Sequence, residues 1–222
     1  WSSHQAAIQH MAQSLSDAVP HLLHTATTAA AMATAALQPD AGDGRPPRSA
    51  TFLASRLTQM SSIIQDLVKE LVEFHRTCFD TRSQVALAQL HTDALSQFVV
   101  EVIDDGLAAY DESAIEQLCQ ALDLDFAVIG ELSEQTATYA ATTVHELARA
   151  HGLIADQHSV VQQLAAADTA QPDIAQQLSA VEDALALIKR LGHAAEAVTV
   201  PQDTRLAETQ VAGLLAYMDH LT

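Results

Sequence analysis

Basic residues are scarce in this chain. Lys and Arg number 10 against 28 Asp and Glu, for a net charge of -18. Nucleic acids and anionic membrane surfaces demand cationic patches, so such a balance argues against both as partners. It allows a cation or a basic protein partner, although most acidic faces are simply solvated. Aromatic residues make up only 4%, and there are 7 Gly and 6 Pro, which leaves few turn signals and a core of small aliphatic side chains. Two cysteines, Cys78 and Cys119, stand far apart with no CxxC spacing. They are expected to be reduced thiols, at least one of them core filler. No apolar run is long enough to span a bilayer. HExxH, P-loop, GxGxxG and GxSxG patterns are all missing, so an enzyme is not expected and no cofactor is implied.

What remains is a chain that is 49% hydrophobic and rich in Ala, Leu, Gln and Glu, a composition that favours helices. The periodicity predicts an all-α protein of antiparallel helical bundles. A first helical segment covers His4 to Leu37, with Pro20 as a kink or as the first turn of a second helix. Gln38 to Ser49 (QPDAGDGRPPRS) is the clearest loop. A second helix spans about Thr51 to Phe79, with Leu57, Met60, Ile63, Ile64, Leu67, Leu71 and Phe74 as its apolar stripe. A third, about Ser83 to Tyr110, places Leu90, Leu95, Phe98, Val99 and Val102 inward. Asp111-Glu112-Ser113 caps a fourth that runs to about Gly152. A further helix covers about Ser159 to Val200, with a potential interruption at Gln171-Pro172-Asp173 and a stop at Pro201. A short last helix runs from Thr204 to Leu221. The chain begins at Trp1 rather than Met, which suggests a fragment or a processed chain.

One stretch stands out. Ile174, Leu178, Val181, Leu185, Ile188 and Leu191 recur at steps of three and four, and Lys189-Arg190-Leu191-Gly192-His193 lies among them. A glycine inside a helix costs about 1 kcal/mol relative to Ala. Close helix packing or room for a ligand would offset that cost. Ser62-Ile63-Ile64-Gln65-Asp66 occupies a similar place late in another long helix, which suggests a bundle duplicated in sequence.

On these residues the chain resembles the PhoU family. Arg190, Leu191 and Gly192 match that family's Glu-Arg-Ile-Gly-Asp type signature, Leu124-Asp125 matches its Val-Asp step, and Asp66 takes the acidic position in the preceding unit. The region from about Leu87 to Val200 is similar to one repeat. The resemblance implies a pseudo-symmetric pair of three-helix units: an incomplete first unit over residues 1–80, with the loop at 38–49, and a second over 81–222 that includes the short C-terminal helix. It also implies a cytoplasmic module, or the soluble domain of a sodium–phosphate cotransporter-type membrane protein. Such a module would couple phosphate supply to a transporter or sensor component through protein–protein contacts, with a homodimer as an alternative assembly.

The resemblance breaks where the family does its chemistry. Family carboxylates at i and i+4 share a helix face and hold iron or zinc. Here Lys189 and His193 stand in their place, Ser62 replaces another acid, and Ala121 precedes Asp125 by one turn. The family-type metal site is therefore expected to be lost. The residual metal candidates are Asp66, Glu70, Glu101, Asp105, Asp125 and His193. The acidic pairs Asp66/Glu70 and Glu101/Asp105 repel unless neutralised, and Lys69 is placed to do so for the first. Two other readings stand beside the regulatory one: a scaffold or adhesion bundle with no phosphate link, and a metal- or ligand-binding sensor domain.

Overall fold

A computed structural model describes residues 2–38, 48–105, 111–167, 172–200 and 209–216. Four long helices account for most of them: α1 (Ser2–Ala36), α2 (Arg48–Asp105), α3 (Glu112–Ala167) and α4 (Pro172–Glu196). A short helix, α5, covers 209–216. No strand occurs among the described residues, so the fold is an all-α helical bundle. No helix among them is long and apolar enough to cross a membrane. Most of the expected loop, the interruption before Pro172, Pro201 and the two ends of the expected last helix lie outside the described residues.

The helices are longer and fewer than the periodicity predicts. Pro20 lies inside an unbroken α1. The break expected between Phe79 and Ser83 does not exist, because α2 passes straight through it. That stretch holds no Pro or Gly, and its hydroxyls bond back onto the helix. Thr81 donates to the Thr77 carbonyl at 2.9 Å, and Ser83 donates to the Phe79 carbonyl at 2.9 Å. A run of polar residues that looks like a turn is thus absorbed into helix. Likewise α3 runs past Gly152 and Asp156 to Ala167. Its start is as expected: the Asp111 carboxylate accepts from the Ala114 amide at 3.1 Å, with Glu112 in the first turn, a capped and dipole-compatible N-terminus.

The chain forms two compact units, and they do not divide at residue 80. One comprises His10–His75 and Ala140–Glu196; the other comprises Trp1–Gln9, Arg76–Tyr139 and Ala197–Thr222. The expected boundary fails because α2 and α3 each contribute to both units. Asp66 and His193, expected in different units, therefore fall in the same one.

The first unit contains four helical segments, where the resemblance implies three. Met11, Leu15 and Leu22 of α1, Leu57, Met60, Ile64, Leu71 and Phe74 of α2, Ile154 and Val161 of α3, and Val181 and Ile188 of α4 are all buried. The Ser61 hydroxyl donates to the Ala26 carbonyl at 2.8 Å, joining α2 to α1. Arg56 donates to the Gln157 side chain at 3.1 Å, joining α2 to α3. In the second unit, Val85, Ala88, Leu95 and Val99 of α2, Ile115, Leu122, Phe126 and Ile129 of α3, and Val211 of α5 form one apolar cluster. Leu90, expected inward, is 65% exposed, because the inward register there is set by Val85, Ala88, Leu95 and Val99. Thr81 and Thr136 share a buried hydroxyl–hydroxyl bond of 2.6 Å between α2 and α3.

Both cysteines are free, Cys78 buried and Cys119 half-buried. Burial pushes the Cys78 thiol up to about 12. Burial, and then the charge of Asp123, raise that of Cys119. At neutral pH both are held as thiols, the unreactive form. Iodoacetamide should therefore modify Cys119 slowly and leave Cys78 untouched until denaturant is added; rapid labelling of Cys78 in the native protein would contradict its placement. A Cβ added at Gly152 would meet no atom within 4 Å. Gly152→Ala should accordingly raise the unfolding free energy by up to about 1 kcal/mol, read from a denaturant midpoint; a loss of stability would show that α3 does break there.

Candidate functional site

The Lys189–His193 stretch is the natural starting point. The inward face of α4 is Leu178, Val181, Ala184, Ile188, Leu191 and Ala195, all buried. Leu185 is only half-buried, and Ala184 takes the deeper place. Lys189, Arg190 and His193 face outward and Gly192 is half-buried. A Cβ at Gly192 would meet nothing within 4 Å. Close helix packing is thus not what this glycine serves.

It opens instead onto a groove between α3 and α4 with a volume of about 330 Å³. Leu147 and Ile188 are buried beneath it, while His151, Lys189 and His193 border it. The His193 ring lies 3.5 Å from Glu196, one turn on. Arg190 points to another groove, between α4 and α1, of about 400 Å³, where His10, Asp17 and His21 are the other ionisable groups. The only adjacent pair of basic residues in the chain thus sends one member into each groove.

Asp66 and Glu70 border a smaller cavity of about 100 Å³ between α2 and α3, opposite Glu146 and Arg149. Lys69 pairs with Asp66 at 2.8 Å. Arg149 holds Glu146 with two bonds of 2.9 and 2.7 Å. Lys69 therefore relieves the like-charge repulsion expected of this i, i+4 pair, while Arg149 is engaged by Glu146. Asp66 and His193 both face α3 but border different cavities, so the structure does not bring them together. Glu101 is half-buried and accepts from Gln97 at 3.2 Å. Asp105 is the last residue of α2, and its side chain lies outside the description. Among the described residues no three His, Cys, Asp or Glu side chains are grouped so as to hold a metal ion.

Asp125 has the most distinctive surroundings of the candidates whose side chains are described. It is 4% exposed. Its two oxygens are taken separately, one by the Gln84 amide at 2.9 Å and the other by the His91 ring Nδ1 at 2.5 Å. Both partners come from α2. A carboxylate in this position is an internal strut, its lone pairs committed to α2. Sequence reasoning missed the strut. The signal lay in the registers: Asp125 adjoins Phe126 on the stripe Leu122–Phe126–Ile129, and His91 falls between the inward Ala88 and Leu95.

A scan against family models finds no match to the chain, and no curated protein or solved structure matches it either.

His91→Leu should lower the unfolding free energy by about 1–3 kcal/mol, because it deprives a buried carboxylate of a partner. Adding Asp125→Leu should then recover part of that loss, since the buried carboxylate is gone and only the half-buried Gln84 amide loses its acceptor. Additive losses in chemical denaturation would show that the two residues are not coupled.

Proposed function

We propose that the chain is a non-catalytic regulatory and interaction module that works by presenting helix faces to a protein partner. The observation that carries this reading is the outer side of α2 in the second unit. Phe79, Leu87 and Leu90 follow one another at steps of eight and three, which keeps them on one side of the helix, and all three are exposed. Val100 and Ile103 are exposed further along the same helix, and Leu124 on α3. Single exposed apolar residues are ordinary; several on one helix suit a protein interface. Each is already partly covered, so burying the remainder would contribute about 1 kcal/mol apiece.

Support for a non-catalytic role comes from the state of the reactive groups. The Cys78 thiol is buried with its pKa raised to about 12, and burial raises that of Cys119 as well. The finer reading, coupling phosphate supply to a transporter or sensor component, rests on the Arg190, Leu191, Gly192, Leu124 and Asp125 matches to the PhoU pattern. A homodimer through the same α2 face is the alternative assembly.

Replacing Phe79 and Leu90 together by Glu should abolish partner capture or self-association while leaving the helical circular dichroism unchanged. Equal capture by the wild type and the double variant would place the interface elsewhere. A wild-type chain that remains monomeric in light scattering and retains no partner would remove the reading altogether. Among captured partners, a phosphate-transport component supports the finer reading and any other protein removes it.

A further inference from the structure

We propose that the α3–α4 groove at Gly192 is a binding site for a small monocarboxylate with an apolar body, such as an aryl or branched-alkyl acid. The site belongs to a different compact unit from the α2 face offered above as a protein interface and does not depend on that reading. Four observations lead to it.

The first is the glycine. It sits within an uninterrupted helix, and a Cβ there would meet no atom within 4 Å. Nothing in the packing of α4 requires its smallness, whereas a side chain at this point would project into the groove that Gly192 lines.

The second is size. The groove holds about 330 Å³, within the range of small-molecule sites. A water's share of liquid is about 30 Å³, so the space suits a ligand of roughly ten non-hydrogen atoms.

The third is the lining. Leu147 and Ile188, both nearly inaccessible, lie beneath the groove, and Val144 and Ala148 line its α3 side. Such a surface contributes affinity only by covering hydrocarbon.

The fourth is charge. Lys189 borders the groove and makes no ion pair or hydrogen bond among the described residues. In a chain of net charge -18, a cation that pairs with no acid among the described residues, beside an apolar hollow, is complementary to an anion. Glu196, the one acid of the lining, lies 3.5 Å from the His193 ring. One lysine suits one negative charge. Inorganic phosphate alone would leave the apolar surface unused, and a plain hydrocarbon would leave the lysine unused.

The test is a titration of the 222-residue chain with phenylbutyrate, followed by amide and methyl chemical shifts in two-dimensional NMR. The expected result is saturable movement of the Gly192 amide and the Leu147 and Ile188 methyls. The uncharged phenylbutyramide should bind about tenfold more weakly, a difference typical of losing one charged partner. Gly192→Leu, which fills the hollow and improves helix propensity, should weaken phenylbutyrate binding at least about tenfold with the helical circular dichroism unchanged. Lys189→Met should erase the preference for the acid over the amide. The proposal is overturned by any of four outcomes: shifts that fail to saturate or lie away from the groove, equal binding of acid and amide to the wild type, undiminished binding by Gly192→Leu, or inorganic phosphate moving the same signals as strongly as phenylbutyrate.

Discussion

Helix backbones that approach one another closely are the constraint on which the rest of this structure depends. With aromatic residues at 4% of the chain, the interior is made of Leu, Ile, Val and a great deal of Ala. Ala18, Ala26 and Ala29 are buried on α1, and Ala88, Ala137 and Ala140 on α2 and α3. The Ser61 hydroxyl, on one of the shortest polar side chains, reaches the Ala26 carbonyl of a different helix at 2.8 Å. That contact exists only because neither helix places bulk between the backbones. The same closeness lets Thr81 meet Thr136 and lets Gln84 and His91 both grip Asp125. Each neutral bond contributes about 1 kcal/mol net, but each would cost more if its partner were removed. Much of the polarity buried in this core of small residues is therefore held in bonds between helices.

The helical class was legible in the apolar periodicity, and so was most of the burial. Leu57, Met60, Ile64, Leu67, Leu71 and Phe74 lie inward as their spacing requires. The punctuation was not legible. Thr81, Ser83 and Gly152 are weak helix formers taken singly, and propensity alone places breaks near them. Tertiary burial overrides so small a preference, and hydroxyl groups that bond to the carbonyl four residues back remove the reason to turn. The division into units was lost with the punctuation, because α2 joins two expected helices and α3 takes in a third and the start of a fourth, so that the units interleave along the chain.

The candidate site was legible in part. Gly192 is as anomalous in the structure as in the sequence, and it opens a hollow where packing would have been the simpler account. The acidic pair at Asp66 and Glu70 shares a cavity with the Glu146–Arg149 pair of α3, which no pattern within one helix reveals. Asp125, matched to a family step on the strength of two letters, turned out to be held by α2. Its role depends on Gln84 and His91, more than thirty residues away in sequence, and such a relation has no local signature. The ionisable residues that remain exposed around α4 form the chemistry most available to a ligand, while the apolar residues exposed on α2 form the surface most available to a protein.

The unbroken course of α2 carries a consequence for how this chain can change over evolutionary time. Residues up to His75 and from Arg76 onward belong to different units, yet they share one helix. Each residue of an α-helix advances the side-chain direction by about 100°. One residue gained or lost near this junction would turn the apolar face of one half away from its core while the other half stayed in phase. A change of seven residues restores the phase to within about 20°. Length polymorphism, usually tolerated where two compact units meet in sequence, should here be confined to the connections between helices, and the interior of α2 should keep its length.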